Sequence, residues 1–236
     1  MVEVKAIRGM NDILPDETPK WRFVEEIARK IFRLYGFEEL RSPILERTEL
    51  FLRGIGNDTD VVEKQMYTFT DKSGSSVSLR PEATASVLRA VIEHGLLSED
   101  SIQKIFSIGP MFRYERPQKG RYRQFHQINA ERLGESGPFS DAETLQMAYR
   151  IASSLGLEGL VMEVNSLGCR TCREEFKKAL QAFLAKRADS LCADCARRMA
   201  TNPLRVLDCK VVSCKQAVEG APLIEDYLCE ECRDHY

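Results

Sequence analysis

All eight cysteines of this 236-residue chain fall between Cys169 and Cys232, and they fall in four close pairs. The pairs are Cys169-x-x-Cys172, Cys192-x-x-Cys195, Cys209-x4-Cys214 and Cys229-x-x-Cys232. No other feature limits the fold so strongly. A stretch of about seventy residues has a limited apolar core and gains from a staple, whereas everything before Cys169 must fold without thiols. A boundary near Leu167 follows, with domains at 1–167 and 168–236. Two such pairs make one tetrahedral thiolate site, so eight cysteines suffice for two closed sites of structural Zn2+. Free thiols are the alternative, and spacing leaves open which pairs would share an ion. His235 reads as a surface residue rather than a ligand.

The compartment bears on that choice. The N-terminus, Met-Val-Glu-Val-Lys-Ala-Ile-Arg-Gly-Met, has no apolar run of the signal-peptide kind. No uninterrupted apolar stretch approaches the ~20 residues of a membrane helix. A cytoplasmic protein with no membrane partner is expected, and reducing conditions there favour metal over disulfide.

A net charge of −2 excludes a generally basic nucleic-acid coat protein, so any polyanion contact must be local. One stretch supplies it: Phe112-Arg-Tyr-Glu-Arg-Pro-Gln-Lys-Gly-Arg-Tyr-Arg-Gln-Phe-His-Gln127, with Arg113, Arg116, Lys119, Arg121 and Arg123 around one turn.

Periodicity supplies the scaffold. Thr18-Pro19 starts a helix on which Phe23, Ile27, Ile31 and Leu34 recur, ended by Gly36. Glu38–Glu46 reads as extended and broken by Pro43, with a short helix from about Thr48. Met66–Thr70 and Val77–Leu79 flank the turn Asp71-Lys-Ser-Gly74 as a hairpin. Glu82–Glu93 reads as a helix with Ala85, Leu88, Val91 and Ile92 mostly inward. Strands are predicted at Lys104–Ile108, Met111–Glu115, Arg123–Leu133 and Leu160–Val164. Ser140-Asp-Ala-Glu143 reads as a capping box for a helix to about Leu155. After Cys169, short helices linked by Cys-bearing turns are expected. The fold class is α+β, an antiparallel sheet flanked by helices plus a small, mainly helical, Cys-rich domain.

Side chains alternate across a strand, so Arg113 and Glu115 should share one face, and Phe125, Gln127, Asn129 and Glu131 another. An arginine, carboxylates, an amide and a ring make a costly core unless a ligand completes their hydrogen bonds. Arginine suits phosphate because its planar fork donates two bonds to an oxyanion, and a ring offers a base a face to stack on. A solvated hairpin with ordinary salt bridges is the plain alternative.

Phe112-Arg-Tyr-Glu115, a short basic loop and Arg121-x-x-x-Phe125 resemble motif 2 of the class II aminoacyl-tRNA synthetases. The fuller string Arg-Pro-Gln-Lys-Gly-Arg-Tyr-Arg-Gln-Phe-His-Gln resembles the histidyl-tRNA synthetases. So do Arg8-Gly-Met-Asn-Asp-Ile-Leu-Pro15, Arg41-Ser-Pro-Ile-Leu-Glu46 as motif 1, Leu79-Arg-Pro-Glu-Ala-Thr-Ala85 as the histidine-recognition segment, and Asn202-Pro-Leu-Arg-Val-Leu-Asp208 in the inserted domain. The resemblance implies ATP-dependent activation of L-histidine, with Mg2+ accompanying ATP, transfer to tRNA(His), and a homodimer formed around motif 1. It implies that Arg113 is the catalytic residue, binding the α-phosphate and the histidine carboxylate. Glu115 recognises adenine, Phe125 stacks on it, and Arg121 meets the outer phosphates. Glu82, Thr84 and Gln127 hold the amino-acid end of histidine, and Glu131 faces its imidazole. Lys119 and Arg123 reach towards the tRNA acceptor end.

Ala83 departs from the glycine usual in the family, and suits a helix start. The family's later catalytic arginine, motif 3 and anticodon-reading domain are expected beyond Tyr236. The 236 residues are therefore expected to be an N-terminal portion, with an incomplete insertion, that does not charge tRNA alone. The nearest alternative is a synthetase-like, histidine-binding regulatory subunit of histidine biosynthesis, which tends to lose the synthetase form of motif 2.

Overall fold

A computed structural model describes residues 4–55, 59, 61–98 and 101–236, which form two compact units, Met1–Leu160 and Val161–Tyr236. In the first, α1 (Thr18–Leu34) leads to β1 (Glu38–Glu39), β2 (Leu45–Arg47) and α2 (Thr48–Ile55). Then follow β3 (Tyr67–Thr70), β4 (Ser76–Leu79), α3 (Thr84–Glu93), β5 (Gln103–Phe112), β6 (Gln124–Leu133) and α4 (Pro138–Ser154).

The long β5–β6 hairpin is the platform. It pairs antiparallel from Gln103↔Leu133 to Phe112↔Gln124, and β1 adds a short parallel pairing at Glu38↔Ile105 and Glu39↔Phe106. A second sheet has the order β2-β4-β3, all antiparallel. Phe106 on the hairpin packs with Ala28, Ile31, Phe32 and Phe37, and with Met147 of α4. Ile105, one residue away and so on the opposite face, packs with Val87 and Val91 of α3. Phe125, Gln127, Asn129 and Glu131 stand opposite Met111, Gly109, Ser107 and Ile105, and so share the α3 face.

Several sequence expectations are corrected. The stripe of α1 that enters the core is Ala28, Ile31 and Phe32, whereas Phe23 and Leu34 are exposed. On α3 the buried set is Ala85, Ser86, Val87, Ala90 and Val91, and Ile92 is exposed. The two strands foreseen at 104–108 and 111–115 are one, β5, running through Pro110 and stopping at Phe112. The Pro110 carbonyl accepts from Arg80 Nε at 3.0 Å, so its polar edge faces away from β6 and the missing N–H breaks no ladder bond. Helix α4 begins at Pro138, ahead of the foreseen capping box. Ser140 Oγ donates to the Gly137 carbonyl at 2.8 Å, and Glu143 pairs with Lys104 and Arg132 instead of capping. Leu160–Val164 is not a strand, and Val161 and Val164 are exposed.

The second unit holds α5 (Arg170–Ala185), α6 (Ala193–Thr201), α7 (Leu204–Leu207), α8 (Val212–Ala217) and α9 (Glu230–His235). Its core is Phe176, Leu180, Leu184, Val206, Ile224 and Leu228, together with Cys172, Cys195 and Cys214. The thiols are thus part of a small core. Among the described residues no helix is long and apolar enough to cross a membrane.

Gly109 faces α3, and a Cβ built there would lie 2.6 Å from Arg80 Nη2. Arg80 is buried and held at Ser42 and Pro110, so it has little freedom to retreat. Gly109→Ala is expected to destabilise by about 1–3 kcal/mol, as overpacking does. Thermal unfolding checks this, at about 2–4 °C per kcal/mol for a chain of this size.

Candidate functional site

The first turn of α3 is where the site residues meet. The two Glu82 carboxylate oxygens accept from the backbone N–H groups of Thr84 (2.7 Å) and Ala85 (2.9 Å). A carboxylate at a helix N-terminus satisfies otherwise orphaned donors and faces the positive end of the dipole. The Ala83 N–H donates to Gln127 Oε1 at 3.1 Å, tying the turn to β6, and Ala83 itself is fully buried. Arg113 Nε donates to the Pro81 carbonyl at 2.8 Å, which uses the inner guanidinium nitrogen rather than its outer fork. Glu131 Oε1 accepts from Asn129 Nδ2 at 3.1 Å. Burial pushes the Glu131 carboxyl above its usual range; the Glu82 charge adds to this, and a hydrogen bond from Thr84 opposes it. Glu82, Thr84, Arg113, Gln127 and Glu131 are therefore neighbours, although three separate stretches of sequence supply them. A half-buried carboxylate held short of easy ionisation gains from a further N–H donor.

The basic loop departs from the expected strand geometry. Because β5 ends at Phe112, Arg113 and Glu115 stand on a turn instead of alternating along a strand. The Arg113 guanidinium carbon lies 5.1 Å from the centre of the Phe125 ring. Arg121 pairs with Glu115 at 3.4 Å, and Arg121 is exposed while Glu115 is mostly covered. Gln118 and Arg121 exchange backbone hydrogen bonds across the tip, leaving Lys119 and Arg116 exposed. Arg123 turns inward: it lies 4.1 Å from the Tyr114 ring centre, and its Nε donates to the Glu115 carbonyl at 3.2 Å. The stem rests on the N-terminal segment, where the Gly9 carbonyl accepts from the N–H groups of Arg123 (2.7 Å) and Gln124 (3.1 Å).

Sequence reasoning gave no role to Arg80. Its Nε donates to the Pro110 carbonyl and its Nη1 to the Ser42 carbonyl (2.9 Å) and hydroxyl (3.0 Å), while its own carbonyl accepts from Phe112 N–H (3.0 Å). Burial lowers its pKa, opposed by the Glu46 charge. One side chain thus joins the segments around Ser42, β5 and the α3 turn. The available signal was an arginine directly before the Pro-Glu helix start, inside the Leu79–Ala85 stretch that resembles the histidine-recognition segment.

In the second unit the sulfurs form two groups, Cys169, Cys172, Cys229 and Cys232, and Cys192, Cys195, Cys209 and Cys214, each with its ligand atoms within 4.8 Å of one another. Cys169, Cys192 and Cys229 are the N-caps of α5, α6 and α9, where helix dipoles favour thiolate. The Cys169 and Cys172 sulfurs are 3.4 Å apart. That is too far for a disulfide of about 2.05 Å, and near the ~3.8 Å edge of a tetrahedron with metal–sulfur bonds of about 2.3 Å. Backbone N–H groups reach across each group to sulfur: Cys169 to Cys232 (3.2 Å), Cys229 to Cys172 (3.1 Å), and Cys192 to Cys214 (3.1 Å). The backbone N–H of Cys172 holds the Cys169 thiol down to about 7, and that of Cys195 does the same for Cys192. Burial pushes Cys195 up, and the hydrogen bond with Cys229 raises Cys232 to about 12. Four thiols this close ionise together only beside a cation, so either group can hold a metal ion.

Comparison with known proteins places the chain in a family. A family model described as histidyl-tRNA synthetase matches residues 9–201. The chain is 55% identical over 235 residues to a histidine–tRNA ligase of Trichlorobacter lovleyi, covering 100% of this chain and 56% of that protein. It is 54% identical to the histidine–tRNA ligase of Geobacter sulfurreducens, covering 99% and 56%. The apo histidyl-tRNA synthetase of S. aureus superposes with a TM-score of 0.76 at 37% identity, over 99% of this chain and 53% of that one. The chain therefore spans a little over half the length of the curated relatives it matches. With a family model covering most of its residues and the motif side chains gathered on one helix turn, the chain belongs to the histidyl-tRNA synthetase family.

Proposed function

We propose that these residues form the ATP- and histidine-gripping part of a cytoplasmic, homodimeric histidine–tRNA ligase. The observation that supports it most is the convergence of Glu82, Thr84, Arg113, Gln127 and Glu131 on the first turn of α3. Histidine enters with its imidazole N–H towards Glu131, whose raised pKa falls when that donor arrives. Gln127 and Thr84 orient the amino-acid end. Glu82 takes part through lone pairs its capping bonds leave over, since a carboxylate offers about four. Arg113 holds the α-phosphate and the histidine carboxylate together, stabilising the charge that spreads over phosphate oxygens as the carboxylate attacks. Adenine stacks on Phe125 and is read by Glu115 and the loop backbone, while Arg121 leaves Glu115 to meet the outer phosphates. Mg2+ accompanies the ATP and adds counter-charge there.

Lys119 is the better candidate for the tRNA acceptor end, because Arg123 is engaged by Tyr114 and Glu115. The unit Val161–Tyr236 is the family's inserted domain, and zinc in its thiolate groups holds structure without taking part in the chemistry. The test is histidine-dependent ATP–pyrophosphate exchange by the protein expressed from its complete reading frame. Tight histidine binding without exchange would move the assignment to a binding or regulatory role.

Glu131→Gln separates binding from stability. The raised pKa of Glu131 means that folding stability is fully present below the unfolded value near 4.5 and is lost as pH rises through the folded value. Gln removes that loss, so the melting temperature near neutral pH should rise and its pH dependence flatten, while histidine affinity falls at least about tenfold. Calorimetric melting and histidine titration across pH check both.

A further inference from the structure

The two thiolate groups differ in ways that bear on how each keeps its metal. The group of Cys192, Cys195, Cys209 and Cys214 is the inner one: Cys195 and Cys214 are fully buried, the other two are partly covered, and both buried residues belong to the core with Leu180 and Val206. In the group of Cys169, Cys172, Cys229 and Cys232, only Cys172 is buried, and Cys169 and Cys229 are exposed. The two also close different lengths of chain. The inner group joins the start of α6 to α8 and the turn before it. The outer group joins the start of α5 to the start of α9 and so spans nearly the whole unit.

Resting on the zinc assignment above, we infer that the unit carries two non-equivalent zinc sites. The inner one is a kinetically inert fold core, and the outer one, on Cys169, Cys172, Cys229 and Cys232, is an exchangeable clasp that releases its ion first. Two effects compete in that ranking. The outer group receives reciprocal N–H···S bonds, from Cys169 to Cys232 and from Cys229 to Cys172, which stabilise its thiolates and strengthen binding at equilibrium. Release, however, begins when acid protonates a thiolate, or water or chelator binds zinc and displaces one, at a ligand that solvent can reach, and the outer group presents two such cysteines. Exposure therefore decides the rate, while the hydrogen bonds let the clasp re-form when zinc returns. Gly168 supports the same closure. It has φ +60°, and a Cβ there would lie 2.7 Å from Cys172 Cβ and 3.0 Å from Leu228 Cδ2, so only glycine lets the chain enter the outer site.

The experiment uses the intact protein with its native metal. Zinc is measured first, and then its release to a chromogenic chelator is followed in time. In parallel, samples quenched with iodoacetamide are mapped by mass spectrometry to show which cysteines become alkylated first. The expected result is two zinc ions per chain leaving in two phases at least about tenfold apart, with Cys169, Cys172, Cys229 and Cys232 labelled during the fast phase. Re-addition of zinc before quenching should protect those four. One phase for two ions, or early labelling of Cys192 and Cys209, overturns the non-equivalence and leaves the zinc assignment standing. Zinc well below one per chain overturns both. Because the mapping needs no substitution, a variant that fails to fold cannot obscure the answer.

Discussion

In the protein expressed from its complete reading frame, Arg113→Ala is expected to lower the rate of histidine-dependent ATP–pyrophosphate exchange by roughly 10²–10³-fold, the usual cost of removing one donor from developing negative charge. The loss falls mainly on kcat, because the arginine is assigned to phosphate oxygens whose charge spreads in the transition state. Arg113→Lys recovers little, since an ammonium cannot reproduce a planar fork already positioned by the bond from Nε to Pro81. Thermal unfolding of both variants separates this from misfolding: the single bond to Pro81 is worth about 0.5–1.5 kcal/mol, far too little to explain the rate. A kcat unchanged within about twofold would remove Arg113 from the mechanism.

If the eight thiols hold the proposed zinc, its exhaustive removal is expected to have a second large effect. Structural zinc of this type contributes on the order of 10 kcal/mol or more to folding, which a core as small as that around Phe176, Leu180 and Leu184 cannot replace. The helices α5 to α9 are expected to lose their circular-dichroism signal and become protease-sensitive. The β5–β6 platform, with no cysteine in it, keeps its melting transition. Zinc added back under reducing conditions restores the signal. Full helix content without metal, shown by elemental analysis of the same sample, would sink the structural role.

Much of the platform was legible in the sequence because local signals and tertiary demands agree there. Thr18-Pro19 and Gly36 bracket α1, and Asp71–Gly74 turns β3 into β4. What could not be read depends on partners distant in sequence. The length of β5 is set by the match to β6 and by an arginine that covers the edge at Pro110, so a proline that locally argues for a break is accommodated. The inward stripe of α1 depends on what packs against the helix, and hydrophobic spacing pointed to Phe23 and Leu34 where Ala28, Ile31 and Phe32 are the buried residues. Leu160–Val164 has strand-forming residues, yet a strand requires an edge to pair with, which composition alone does not reveal.

The site shows the same division. The residue types and order of motif 2 were visible, but the meeting of Gln127 with the Ala83 N–H requires the register that brings β6 against α3. Cysteine spacing pointed to two four-thiol groups and left the sharing of pairs open. The folded chain joins the first pair to the fourth and the second to the third, a nested order that one-dimensional spacing does not encode.

The seat of Arg80 over Gly109 has a consequence for how relatives of this chain can vary. Neither position can drift alone: a side chain at 109 evicts the guanidinium, and a shorter residue at 80 leaves a void above the glycine and unmet carbonyls at Ser42 and Pro110. The two positions are therefore expected to covary, with arginine and glycine inherited as a pair or exchanged together. Their covariation would be a signature of sterics rather than of direct contact with substrate.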